Sequence, residues 1–310
     1  MIIYIISDGK KGHLSQTRGL AQALMAQARE QQPNKTHACY EVDVSRMGFF
    51  AKLTYTAKEL SYPKPDLILC AGHGTHLPAL RMARHYHSLC MVCMKPSLPI
   101  RCFDLCITPK HDYEGEAPVQ VFLTNGALNA ISPRPDVEKK ETLLLIGGPS
   151  KEFGWDEDYI LTQLSTITRY NEGQMVLTTS RRTPSDFVQR LVAEFPSIRV
   201  EPVESTGPTW VADHLAAARE VWVTQDSVSM VYEALSCGAP VGIIEMPVHP
   251  RRAGKAPSRV ARGLAQLVEE GHVSTFTQWA RTHILTAGVP LNEANRAAEY
   301  ILTRYPVLLS

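Results

Sequence analysis

The chain has 310 residues, 44% of them hydrophobic and 20% charged, with a formal charge of +1. That length supports two cores, and the near-neutral balance excludes a general nucleic-acid binder, which carries a strong basic excess. No apolar run reaches the ~20 residues of a membrane-spanning helix, and seven cysteines without a secretory leader point to a reduced, cytoplasmic setting.

The N-terminus, MIIYIISDG, lacks a basic region and a cleavage site, so it reads as a first strand over residues 2–6 rather than a signal peptide. It runs into Ser7-Asp8-Gly9-Lys10-Lys11-Gly12-His13, and a helix is expected over residues 15–30 with Leu20, Ala23, Leu24 and Ala28 on one face. A strand over 39–44, a helix over 49–60 and a strand over 66–71 come next. The turn Gly72-His73-Gly74-Thr75-His76 leads into a helix through 80–86, followed by strands over 89–94 and 103–108. The pattern pauses at residues 126–140, where Pro133, Pro135 and clustered charges read as an interdomain linker. It restarts with a strand over 142–146 and the turn Gly147-Gly148-Pro149-Ser150. Further strands are expected over 174–178, 198–200, 221–223 and 241–244, and a final helix over 292–305. Repeated strand, glycine turn and helix with buried strands mean doubly wound parallel sheets of the α/β class, in two domains, 1–135 and 136–310.

The most informative corner is WVTQDSVSMVYEALSCGAPVGII, residues 222–244. Asp226 and Ser227 are N-cap types ahead of a short helix, and Gly238 stands where a helix stop needs a left-handed residue. The helix start would offer free N–H groups and partial positive charge to a phosphate, with Glu233 one to two turns along, within reach of a sugar ring. Ligands of such sheets bind beyond the carboxyl ends of the strands. There the first half carries Asp8, Lys10, Gly12, His13, Gln16, His73, Thr75, His76, His111 and Asp112. The second half carries Gly147, Gly148, Ser150, Arg181, Arg182, Asp226, Ser227, Ser229 and Glu233. Glycines let backbone approach a ligand, and hydroxyls and arginines bind phosphate oxygens. One set rich in phosphate-binding groups and one in His and Asp suit group transfer from a phosphorylated donor.

Each piece also has a purely structural reading. Gly147-Gly148-Pro149 can be a tight turn, Arg181-Arg182 a solvated pair, Asp226 a helix cap and His13 a polar turn residue. Cys90 with Cys93, and Cys102 with Cys106, have metal-ligand spacing but sit in apolar strands, so no metal site is expected. Asp156-Glu157-Asp158 reads as the acidic first turn of a helix rather than a metal-binding Asp-x-Asp. No G-x-x-x-x-G-K-[ST] is present, which disfavours a P-loop enzyme. The absence of G-x-G-x-x-G after the first strand, and of a tyrosine followed four residues later by lysine, counts against a short-chain dehydrogenase or sugar epimerase. G-x-S-x-G is absent too, so a hydrolase elbow has no support.

The segments Asp8-Gly9-Lys10-Lys11-Gly12-His13, Phe103-Asp104 with Pro109-Lys110-His111-Asp112, Gly147-Gly148-Pro149-Ser150 and Thr224-Gln225-Asp226-Ser227-Val228-Ser229-Met230, in this order, together resemble the mitochondrial-fission ELM ("elongated mitochondria") family. That family comprises a plant organelle-division factor and bacterial relatives. Lys11 departs from the small residue usual there. The run from Glu233 to Pro240 is similar to the donor-site helix of GT-B glycosyltransferases. The resemblance implies a GT-B-like fold, two Rossmann-like domains facing across a cleft, with the last helix packing back on the first domain.

It also implies a metal-independent, inverting glycosyltransferase that needs no cofactor beyond a nucleotide-sugar co-substrate. Gly147, Gly148 and Ser150 would cradle phosphate, with Arg181 or Arg182 neutralising the leaving group. Ser227 and Ser229 would add donors, and Glu233 would hold a hydroxyl. His13 or Asp8 would be the base, flanked by Lys10, Gly12 and Gln16, with His111 and Asp112 in reserve. The acceptor would be an envelope glycan or glycolipid. Met47 to Leu53 with Arg46, Lys52 and Lys58 would suit peripheral contact with the inner face of the cytoplasmic membrane, or simply a core-facing helix. The basic stretch Arg251, Arg252, Lys255, Arg259 and Arg262 could hold an acidic glycolipid or be a solvated loop. The alternative implied by the family is a non-catalytic GT-B-like scaffold binding a protein partner at a membrane surface.

Overall fold

The computed structural model describes the chain except residues 49–50, 53–54, 56–61, 114, 287 and 310, and the side chains of 259 and 260. Most of the expected helix over 49–60 lies outside the described residues. The chain divides into two compact units, Met1–Ala130 with Asn292–Ser310, and Ile131–Leu291. Among the described residues no helix is long and apolar enough to cross a membrane.

The first unit holds six parallel strands: β1 (Ile2–Ser7), β2 (Ala38–Asp43), β3 (Leu67–Ala71), β4 (Leu89–Cys93), β5 (Leu105–Pro109) and β6 (Val121–Thr124). Their order is β2-β1-β3-β4-β5-β6. The central strands are apolar at nearly every position because helices cover both faces, as a parallel sheet requires. Helix α1 (Lys11–Gln31) packs Leu20, Leu24 and Ala28 on one face, and α2 (His73–Tyr86) packs Ala79 and Met82 on the other. Cys90 and Cys93 fall in the cores on opposite faces of the sheet, since residues an odd number apart on a strand point opposite ways.

Both helices start earlier than their apolar periodicity predicts. Gly9, at φ +76°, turns the chain sharply out of β1, and the carbonyl of Lys10 already accepts from the N–H of His13 and Leu14. Gly12 and His13 therefore lie in the first helical turn. Likewise α2 begins at His73, directly after Gly72. The short edge strand β6 escapes the sequence reading; four residues are too few to show a period.

The C-terminal helix, Glu293–Arg304, belongs to this first unit. Ala294, Ala297, Ala298, Ile301 and Leu302 form its buried stripe against α1. Alanines let the two backbones approach, and Gln27 Nε2 donates to the carbonyl of Asn295 at 3.0 Å. Glu293 closes the junction by accepting from the N–H of Asn125 at 2.8 Å.

The second unit repeats the architecture. Its strands are β7 (Glu141–Leu145), β8 (Gln174–Thr178), β9 (Ile198–Glu201), β10 (Ala218–Thr224), β11 (Val241–Ile244) and β12 (Ser274–Thr275), ordered β12-β11-β10-β7-β8-β9 and all parallel. Helices α3 (Glu157–Tyr170), α4 (Ser185–Glu194), α5 (Trp210–Ala217), α6 (Val228–Cys237) and α7 (Arg259–Glu269) link them. Trp222 is fully buried, and its ring lies 2.4 Å from where a Cβ on Gly242 of the neighbouring strand would stand, so only glycine fits beside it. Asp156 caps α3 by accepting from the N–H of Tyr159 at 3.0 Å, and Glu157 and Asp158 both pair with Arg190 of α4 at 3.2 and 2.9 Å. The acidic triplet is thus a helix start tied to its neighbour.

Candidate functional site

In an open parallel sheet the crevice for a ligand lies where the chain switches direction across the sheet. In the first unit β1 is followed by β2 on one side and β3 on the other, so the switch falls between β1 and β3. The two segments leaving those strand ends carry Asp8 and Gly72. Asp8 and His13 meet there: Nδ1 of His13 lies 3.0 Å from both carboxylate oxygens. The N–H of Lys10 donates to Asp8 Oδ1 at 3.2 Å, and the Lys10 ammonium stands 3.7 Å from Oδ2. Burial works against the Asp8 charge. The His13 and Lys10 hydrogen bonds and the nearby positive charge outweigh it and hold the carboxyl below its ordinary value of 3.8. Asp8 is therefore ionised near neutrality and can only accept, which puts a proton on Nδ1 of His13, so that Nε2 is the nitrogen that can offer a lone pair.

Gly72 is what lets the imidazole sit there. Its φ and ψ of 86° and 151° belong to a region open in practice to glycine alone. A Cβ on it would fall 2.4 Å from the His13 ring and 3.0 Å from Asp8 Oδ2. Behind this pair, His76 is buried, its Nδ1 3.2 Å from Ser97 Oγ, and its pKa is pushed down to about 4 by burial and then by the neighbouring His73 and His13. Gln16 is buried on α1, its amide reaching the carbonyl of Gly12 at 3.4 Å. His111 and Asp112 sit at the end of β5, three strand positions from β1 and so about 14 Å away at ordinary strand spacing. They stand apart from the Asp8 and His13 pair.

In the second unit the switch lies between β7 and β10. The turn after β7 is Gly147-Gly148, and the turn after β10 is Gln225-Asp226-Ser227. The Asp226 carboxylate, fully buried, accepts from Gly148 N–H at 3.1 Å, Arg182 Nη2 at 2.6 Å and Ser227 Oγ at 3.0 Å. Arg182 Nη1 also donates to the carbonyls of Gly148 and Pro149, at 3.1 and 3.2 Å. The N–H of Gly147 donates to Thr224 Oγ1 at 2.7 Å. Both glycines are demanded by space: a Cβ on Gly147 would stand 2.2 Å from Asp226 Oδ2 and Ser227 Oγ, and one on Gly148 2.3 Å from the carbonyl of Arg182.

Gly147, Gly148, Arg182, Asp226 and Ser227 are thus brought together, but the glycine N–H groups are already taken by Thr224 and Asp226. The sequence reading has them free for phosphate. Instead the carboxylate is drawn off the helix start, where Ser227 is the N-cap residue of α6 without a side-chain cap bond, and onto the glycine turn and Arg182. Oδ1 of Asp226 is buried and has no hydrogen-bond partner. Ser150 braces its own loop, its Oγ accepting from the N–H of Glu152 and Phe153 at 3.3 and 3.0 Å. Arg181 and Ser229 are exposed and outside this knot. Glu233, half-buried in the second turn of α6, has its carboxyl pushed up to about 7 by burial. Thr224 and Thr183, whose hydroxyl bonds the Gly147 carbonyl, complete the site. A threonine ending a buried strand was the only trace of the first, and Thr183 leaves none.

The sequence pattern that defines the family Mitochondrial fission ELM1 matches residues 11–305. An uncharacterised protein of Rickettsia prowazekii (strain Madrid E) is 25% identical over 97% of this chain and 98% of its own length. The Mitochondrial fission protein ELM1 of Arabidopsis thaliana is 25% identical over 84% of this chain and 67% of its own. Among solved structures, UDP-GlcNAc 2-epimerase from Methanocaldococcus jannaschii superposes with a TM-score of 0.55 at 13% identity, over 98% of this chain and 100% of that one. At that identity the likeness is one of fold, two Rossmann-like domains of GT-B type. It also shows that the missing short-chain motifs speak against one epimerase architecture only, because this 2-epimerase is built on the present one. With the match running through both units, the chain belongs to the Mitochondrial fission ELM1 family.

Proposed function

We propose that the chain is a metal-independent, inverting glycosyltransferase of GT-B type that moves a sugar from a nucleotide-activated donor to an envelope glycan or glycolipid. One observation carries the reading: each sheet concentrates its polar chemistry at its own switch point, an oriented base in the first unit and, in the second, a helix start braced by the Arg182, Asp226 and Ser227 knot.

His13 Nε2 takes the proton of the acceptor hydroxyl as that oxygen attacks the anomeric carbon. The sugar–phosphate bond breaks on the opposite face, and the nucleoside diphosphate leaves with the electron pair. Asp8 is the positioning residue, fixing the tautomer and stabilising the imidazolium that forms. Phosphate contacts fall to Arg181, Ser229 and the first-turn N–H groups of α6, which Ser227 does not cap, because the glycine N–H groups are engaged. Arg182 and Asp226 set the shape of that site rather than bind from it. Glu233, as a carboxylate, accepts from a ribose or sugar hydroxyl.

A second reading, a scaffold that binds a protein partner, draws on that internal satisfaction of the glycine turn and on the fission role named in the plant relative. Calorimetry of the full chain with UDP, GDP, CMP and dTDP, and with their sugar conjugates, separates the two. Saturable binding of one nucleotide, lost in Arg181→Ala and weakened at least tenfold in Glu233→Ala, supports the enzyme. Binding of none supports the scaffold. Incubation with UDP-GlcNAc alone, followed by NMR of the sugar protons, detects an epimerase; formation of the 2-epimer without acceptor would replace transfer as the reaction.

A further inference from the structure

Helix α7 presents Ala261, Leu264, Ala265 and Val268, spaced i, i+3, i+4 and i+7, as one apolar stripe. Leu264 is buried, while Ala261, Ala265 and Val268 stay partly or fully exposed, so the stripe floors an open cavity of about 320 Å³, walled on its other sides by Phe153, Ile243 and Val248. The volume lies within the roughly 300–1,000 Å³ of small-ligand sites.

The charge around this apolar chamber is one-sided. Arg252, Lys255 and Arg262 line it with a single carboxylate, Glu152. Arg252 is braced, 3.2 Å from Glu152 and donating to the carbonyl of Ala256 at 2.7 Å. That leaves Lys255 and Arg262, both exposed at the rim, with no acidic partner among the described residues. Uncommitted cations above an apolar well match a molecule with the same division, an aliphatic tail and an anionic head. A neutral lipid would leave the cations without purpose, and a bare anion would leave the stripe uncovered. We propose that this cavity binds the end of a single aliphatic chain bearing a phosphate or carboxylate head, with the head between Lys255 and Arg262. The assignment is independent of sugar transfer, since binding is read without nucleotide.

The test is calorimetry of the full chain with octyl, decyl and dodecyl phosphate below their micelle concentrations, with dodecanoate, dodecyl maltoside and inorganic phosphate alongside. One saturable site per chain is expected, tightening about fourfold per added methylene until the cavity is full. Dodecyl phosphate or dodecanoate should bind at least tenfold tighter than the neutral maltoside, and whichever anion binds more tightly identifies the head group. Lys255→Glu with Arg262→Glu, a surface change that spares the fold, should abolish the preference for anionic heads while leaving tail binding. Ala261→Phe, checked for folding by circular dichroism, should fill the well and remove the dependence on chain length. Equal binding of neutral and anionic chains, binding of inorganic phosphate as tight as dodecyl phosphate, or no saturable binding of any chain would overturn the proposal.

Discussion

Replacing Glu233 by glutamine should stabilise the second unit by an amount that grows from pH 4.5 and levels off just above pH 7. Burial raises the Glu233 carboxyl from 4.5 to about 7. A carboxyl whose folded pKa is raised favours the folded state while it stays protonated. That contribution is fully present below pH 4.5 and is lost as the pH rises through about 7. At 1.36 kcal/mol per pK unit the rise corresponds to a ceiling of about 3 kcal/mol, and partial exposure brings the expected figure to ~2 kcal/mol. Glutamine keeps the shape and carries no charge at any pH, so the variant and the parent should agree near pH 4.5 and separate by ~2 kcal/mol at pH 8. Other carboxyls titrate alike in both proteins and cancel in the difference. Tryptophan fluorescence suits the measurement, because Trp155, Trp210, Trp222 and Trp279 are the only tryptophans in the sequence and all lie in Ile131–Leu291. Urea titrations at pH 5, 6, 7 and 8 would supply the curve. A difference independent of pH, or one that grows toward acid, would refute the assignment of a buried, protonatable Glu233.

Gly72→Ala should destabilise the first unit by about 3 kcal/mol, from a forbidden backbone region and a clash with His13. Adding His13→Ala should recover the clash but not the backbone strain, and thermal unfolding followed by circular dichroism would read both. Asp226→Ala removes the shared acceptor of Gly148, Arg182 and Ser227 and should cost about 2–3 kcal/mol in urea unfolding; a neutral outcome would mean that water replaces the carboxylate. Asp8→Asn should lower stability near neutrality. Because the folded Asp8 is held below its ordinary 3.8, that deficit should vanish as the pH falls through the depressed value, and a deficit that persists in acid would contradict the ion-pair account.

The architecture was legible in the chain because its signals are local. Buried parallel strands are short apolar runs such as residues 2–7 and 141–145, and glycine turns punctuate them, so the two α/β units follow from reading neighbours along the chain. The candidate residues at strand ends were legible for the same reason. Asp8 and His13 lie five apart and meet within one turn of chain.

Tertiary structure alone decided which strand ends lie side by side. It placed β7 beside β10 and so brought Asp226 to Gly148 across 78 residues. It also decided that the glycine N–H groups bond Thr224 and Asp226 rather than wait for a ligand, that Arg182 joins them while Arg181 stays in water, and that His111 falls three strands from His13. Adjacency in a sheet is set by summed long-range burial and loop closure, and a hydrogen bond goes to whichever partner the packed sheet delivers within reach. Neither quantity exists in any stretch of sequence short enough to read by itself.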